Sequence, residues 1–135
     1  MRAPGGILML IGLFCLPAVA QAQSAGGARF DGTYRFVSSA KVTQTYTAKG
    51  GQSAPCPDRT PSPLTIARGQ ARYTSETGRD VTGTVGPQGE LVMRALEPGS
   101  SRAVELQING RIDPAGTARA RQLGFGCSYD FVWQR

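Results

Sequence analysis

Toward the end of the chain, apolar and polar residues alternate with a period of two. Cys127, Tyr129, Phe131 and Trp133 share one face, and Ser128, Asp130 and Gln134 take the other, with Val132 the exception. Just before them, Ala118 and Ala120 point one way and Arg119 and Arg121 the other. Val104, Leu106, Ile108 and Ile112 alternate in the same way with Glu105, Gln107, Asn109, Arg111 and Asp113. This spacing predicts half-buried β-strands. Small inward residues facing large aromatic neighbours are a common filling for the interior of a small barrel. At the front of the chain Phe30, Tyr34, Phe36, Ala40, Val42 and Tyr46 all fall on even positions. One long bent strand, or a hairpin folding near Ser38 to Lys41, satisfies that pattern.

Turn residues set how these strands connect. The segment Gly83 to Arg94 realigns with Gly110 to Arg121 at an offset of 27 residues, and each copy carries a Pro and a Gly two apart, Pro87 and Gly89 in one and Pro114 and Gly116 in the other. That is hairpin turn chemistry, so each copy predicts one hairpin. Further turn signals lie at Arg68-Gly69, Thr77-Gly78, Pro98-Gly99 and Gly124 to Gly126. Residues 23–135 show no helical period. The expected fold is all-β, an antiparallel meander of about 6–9 short strands closing into a small barrel, because closure removes exposed edges. A two-layer sandwich is the alternative. An outer-membrane barrel is disfavoured, because outward positions carry Arg35, Lys41, Glu105, Arg111, Arg119 and Arg121, which lipid penalises.

The first residues tell a different story. Met1 and Arg2 give a positive start, Ile7 to Leu16 an apolar core, and Pro17 a break before the small-residue patterns Ala18-Val19-Ala20 and Ala20-Gln21-Ala22. This is the layout of a secretory signal, expected over residues 1–22, with a single domain over 23–135. The apolar run is shorter than the roughly twenty residues a spanning helix needs. Removing the signal takes Cys15 with it and leaves Cys56 and Cys127, an even pair in an exported protein, for which a disulfide is the default expectation. In the chain-entropy account a loop of this length contributes about 4 kcal/mol. The implied location is periplasmic or secreted.

Charge narrows the chemistry. Fifteen Lys plus Arg against nine Asp plus Glu give a net charge of +6, and a basic surface attracts anionic partners. The arginines are scattered, however, which reads as a solvated face rather than a specific nucleic-acid surface. The chain has no histidine, so Ser-His and Cys-His nucleophilic pairs are ruled out. Glu76, Asp80, Glu90, Glu97 and Glu105 fall at expected turns or solvent-facing strand positions. No enzyme activity, metal site or cofactor is expected, and the glycines read as turns and tight strand positions.

Two features remain as candidate sites. The segment Ser53 to Pro63 holds four prolines between Pro55 and Pro63. A stiff loop tethered through Cys56 loses little entropy on binding; Asp58, Arg59 and Thr60 are the candidate partner contacts, with Arg59 at the centre. The plainer reading is an ordered crossover capping one end of the barrel. Tyr34, Phe36, Tyr129, Phe131 and Trp133 either line a lumen or pack as core, and a domain this small favours core.

Phe30-Asp31-Gly32-Thr33-Tyr34 at the start, Cys56 ahead of the Leu64 to Gly69 strand and turn, and the ending Cys127-Ser128-Tyr129-Asp130-Phe131-Val132-Trp133-Gln134-Arg135 together resemble a loose group of small exported bacterial proteins of uncharacterised function. The resemblance implies fold and compartment and supplies no active site. The expected function is a monomeric, non-enzymatic binding module for an envelope partner or an anionic ligand. The alternatives are an inhibitor of a protease or lysozyme-type hydrolase acting through the loop around Arg59, and a hydrolase built on paired carboxylates.

Overall fold

The computed structural model describes residues 28–96, 104–124 and 126–135. The expected signal segment, the Pro98-Gly99 turn and Glu97 lie outside them. Among the described residues ten strands form: β1 (Gly32–Lys41), β2 (Thr45–Thr47), β3 (Ser53–Pro55), β4 (Leu64–Ala67), β5 (Gln70–Thr74), β6 (Asp80–Val85), β7 (Glu90–Leu96), β8 (Val104–Ile112), β9 (Thr117–Leu123) and β10 (Ser128–Gln134). Eight of them close an antiparallel barrel in the ring order β1-β10-β9-β8-β7-β6-β5-β4. The expected barrel, not the sandwich, is the fold.

From β4 to β10 the chain is an unbroken meander. β1 completes the ring by pairing Arg35 to Lys41 with β10 and Gly32 to Tyr34 with β4. Between β1 and β4 the chain makes an excursion over one end of the barrel, through the β2–β3 hairpin and the proline-rich loop. That end is called the mouth below. The opposite, closed end is plugged by the buried Phe30 ring, and the Tyr34 hydroxyl donates to Phe30 O at 2.7 Å. Arg135 completes the plug by donating to the carbonyls of Arg29 and Asp31.

The internal repeat has a direct structural meaning, since β6–β7 and β8–β9 are superimposable hairpins in their turn bonding. Gly86 N donates to Glu90 O and Gly89 N to Gly86 O; at the matching positions Asp113 N donates to Thr117 O and Gly116 N to Asp113 O. Gly89 and Gly116 both take positive φ, 85° and 89°, the left-handed residue of a three-residue hairpin loop. The match extends into the strands. A β-carbon at Gly83 would run into the Val92 carbonyl, and one at Gly110 into the Arg119 carbonyl, so these two glycines let adjacent strands approach as the barrel curves. Gly110→Ala should therefore destabilise the fold by about 1–3 kcal/mol, as overpacking does, measured as a lower urea midpoint.

Alternation decides the core almost everywhere. Trp133, Tyr34, Tyr73, Tyr129, Phe131, Leu64, Leu91, Met93, Ile108 and Ile112 are fully buried, with Ala118 and Ala120 filling in beside the aromatics. The front of the chain departs from expectation. A single strand runs through Ser38 to Lys41, but a bulge between Phe36 and Ser38 shifts its register against β10. The extra residue reverses the inside–outside phase, so Ala40 and Val42 are exposed instead of inward-facing. Phe36 is half-buried, edge-on to Phe131 at 6.4 Å. Tyr46 belongs to the separate β2–β3 hairpin.

On the outer face Arg35, Arg72, Arg94, Arg111, Arg119 and Arg121 are exposed. Arg121 reaches across to β10 and grips Asp130 through Nε at 2.8 Å and Nη2 at 2.9 Å. This hydrogen bond, followed by the charge of Arg121, holds the Asp130 carboxyl below the ordinary carboxylate range. A depressed carboxylate contributes stability above the unfolded-state pKa and loses it as pH falls through the folded one. The pH titration of the Asp130 carboxyl by NMR should have its midpoint below that of a free aspartate, and Arg121→Ala should move it upward.

Candidate functional site: the barrel mouth

Residues 56–63 lie across the mouth and are fixed from several directions. Cys56 is bonded to Cys127, the residue just before β10, the expected disulfide. Cys56 N donates to Gln44 O at 2.8 Å. Two aromatic residues of β10 hold the loop from below: the Tyr129 hydroxyl donates to Pro57 O at 2.6 Å and Trp133 Nε1 to Ser62 O at 3.1 Å. Ser62 also bonds β5, donating from its N to Thr74 O and accepting from Thr74 N on Oγ. The loop is thus an ordered cap.

The three candidate contact residues take different roles. Asp58 projects, its side chain 95% exposed, and pairs with Lys41 at 2.7 Å. Arg59 is folded back, its side chain 29% exposed and 3.6 Å from Glu76 in the β5–β6 turn. Thr60 N donates to the same Glu76 at 2.6 Å. One carboxylate therefore binds both the guanidinium and the backbone, clamping the loop to the next turn along the rim.

Beneath this cap the barrel is not filled to the top. A half-enclosed cavity of about 230 Å³ opens between the loop, the β5–β6 turn and the upper ends of β8, β9 and β10. Its walls are largely apolar and aromatic: Tyr46, Pro57, Pro61, Leu106, Tyr129 and Phe131, with Cys127 beside them. Ser75, Glu76, Thr77 and Arg59 form its polar rim. Of the five aromatic residues named from the sequence, Tyr34, Trp133, Tyr129 and Phe131 are packed core, the last two adjoining the cavity from within the core.

Gln122 forms part of the floor. Among the described residues it is the one buried polar or charged side chain outside the aromatics, 4% exposed. The Tyr73 hydroxyl donates to its Oε1. β5 and β9 stand four places apart in the eight-strand ring, so this bond spans the full diameter of the barrel. Burial raises the Tyr73 pKa well above that of an ordinary phenol, keeping the hydroxyl protonated. Its proton needs an acceptor, and Gln122 supplies the one bonded to it; this fixes the amide with Oε1 toward Tyr73. The Nε2 amide group is left with no hydrogen-bond partner among the described residues and with access to the cavity.

Sequence reasoning did not single out Gln122 or Tyr73. The signal was present: Gln122 continues the inward phase of Ala118 and Ala120 and is the only polar residue on it. Among the described residues no group of three or more His, Cys, Asp or Glu side chains is placed to hold a metal ion, and no helix is long and apolar enough to cross a membrane. Compared with known proteins, the chain matches no family model, and neither curated proteins nor solved structures give a significant match.

Proposed function

We propose that this chain is an exported, non-enzymatic binding protein and that the barrel mouth is its binding site. The observation that carries the reading is the combination of a rigid cap, an apolar-walled cavity and, at its floor, an amide donor with no hydrogen-bond partner among the described residues. Eight-stranded barrels of this bore either fill with side chains or hold one small ligand; here the closed end is filled and the mouth is not. The disulfide is compatible with an oxidising, exported location, as the expected signal at 1–22 requires. Acidic side chains are engaged by basic ones rather than by each other: Asp58 by Lys41, Glu76 by Arg59, Asp80 by Arg72, Glu90 by Arg111 and Asp130 by Arg121. That arrangement supports binding over carboxylate catalysis. The arginines of the outer face support a barrel that stands in water rather than lipid.

Leu106 lines the cavity and is half-buried, so Leu106→Trp fills the mouth from its wall. Protein extracted gently from its native envelope and weighed intact by native mass spectrometry should carry a retained small molecule, which Leu106→Trp should lack. A parent that carries nothing, or a cargo that the variant keeps, would overturn the reading.

A second reading, inhibition of a hydrolase through the loop, is supported by the rigidity of residues 56–63 and the projection of Asp58. Arg59→Ala should then abolish inhibition of the target hydrolase. The melting temperature should stay nearly unchanged, since a surface ion pair contributes about 0–1 kcal/mol. An unaltered inhibition constant would end that idea.

A further inference from the structure

Resting on the mouth as the binding site, we infer that its ligand is a free, uncharged, single-ring or fused-bicyclic aromatic molecule bearing one hydrogen-bond acceptor, a carbonyl or ether oxygen, that seats on Gln122 Nε2. Three features of the cavity select this chemistry.

Size comes first. A dry cavity of about 150 Å³ accepts benzene, so about 230 Å³ matches one ring with a short substituent or a fused pair. Wall chemistry comes second. Tyr46, Pro57 and Leu106 form the accessible wall, and beside them the fully buried Tyr129 and Phe131 rings stack with planes 10° apart and centroids 5.9 Å apart. Such surfaces pair with a flat π-system through offset or edge contacts. The polar floor comes third. Oε1 of Gln122 is occupied by the Tyr73 hydroxyl, so the amide can offer the cavity a donor and no acceptor; the matching ligand group accepts a hydrogen bond.

Charge is excluded by the same surroundings. The Arg59 guanidinium at the rim is paired with Glu76, 3.6 Å away, so its charge is already balanced by a carboxylate. An ionised group lowered onto the apolar floor would lose hydration, and among the described residues no charged side chain lines that floor to compensate it. A neutral acceptor meets one neutral donor and leaves nothing unpaired.

The test uses isothermal titration of the purified full-length mature chain with five probes: acetophenone, benzoate, ethylbenzene, cyclohexyl methyl ketone and N-acetyl-tyrosinamide. Acetophenone should bind most tightly. Benzoate, lacking a counter-charge, and cyclohexyl methyl ketone, lacking the ring, should bind at least about tenfold more weakly. N-acetyl-tyrosinamide stands for an aromatic side chain on a partner protein. If it outbinds acetophenone, the free-ligand proposal falls in favour of a protein partner.

The double variant Tyr73→Phe/Gln122→Met replaces both polar partners with apolar groups of similar shape, an exchange that leaves stability nearly unchanged. It should weaken acetophenone by about tenfold, the worth of one neutral hydrogen bond, and leave ethylbenzene unaffected. Acetophenone binding unchanged in the double variant would overturn the role of Gln122. If cyclohexyl methyl ketone binds the parent as well as acetophenone and Leu106→Trp blocks both, the aromatic inference fails while the mouth stands as the site. If none of the five probes binds at millimolar concentration, the inference fails, and the retained cargo of native protein then decides separately whether the mouth is a site at all.

Discussion

Replacing Trp133 by alanine should cost about 3–5 kcal/mol, the range for deleting a buried tryptophan or phenylalanine, out of a total of about 5–15 kcal/mol for a domain of this kind. Trp133 is fully buried and sits between two other aromatic rings, with its centroid 5.5 Å from Tyr73 and 5.4 Å from Phe131. It also ties the cap to the core through the bond from Nε1 to Ser62 O. Trp133→Phe separates the two contributions: it keeps most of the packing, breaks that bond, and should cost less than the alanine variant. Both are checked by urea unfolding followed by far-UV circular dichroism, because the chain has a single tryptophan and the variants lose its fluorescence. A cost below about 1 kcal/mol for Trp133→Ala would mean that the barrel centre is loosely packed.

The second large effect is expected at the disulfide. Cys56 and Cys127 are 71 residues apart in sequence, and opening the link in the Cys56→Ser/Cys127→Ser variant should remove about 4 kcal/mol, the chain-entropy value for a loop of this length. At about 4–8 °C per kcal/mol for a small domain, thermal midpoints should fall by roughly 15–30 °C. The barrel ladder contains neither cysteine, so strand content should survive at low temperature. The cap should respond first, with faster hydrogen exchange at the Cys56 position and Thr60, whose amides bond Gln44 and Glu76. An unchanged thermal midpoint would contradict the account of the link as the principal constraint on the unfolded chain.

The barrel was legible in the sequence because strand alternation and hairpin turns are local signals. The repeat at Gly83 and Gly110 identified two hairpins, and the inward phase of Cys127 to Trp133 placed the core strand and its disulfide together. What was not legible depended on register and closure. The bulge between Phe36 and Ser38 is invisible in a pattern of even-numbered apolar residues, which continues unbroken through Ala40 and Val42 while the strand itself reverses phase. The cavity is assembled from β2, the proline-rich loop, the β5–β6 turn and three strands, so no local window contains it.

The loop illustrates the same limit. Proline density in Ser53 to Pro63 marked it as stiff, and composition made Arg59 its natural contact. Only the fold brings Glu76 alongside, turning that side chain back toward the rim and leaving Asp58 as the projecting group. Gln122 is the opposite case, since its burial was implied by Ala118 and Ala120. What the sequence lacked was its partner, because Tyr73 lies 49 residues away on the far wall of the barrel.

Ligand binding at the barrel mouth should be read most directly at the side-chain amide of Gln122. In a nitrogen–proton correlation spectrum of the protein titrated with acetophenone, the Gln122 Nε2 signals should move and saturate together with the backbone signals of Leu106, Tyr129 and Phe131. Saturable shifts confined to the outer face, for example at Arg111 and Arg119, with the Gln122 amide unmoved, would contradict it.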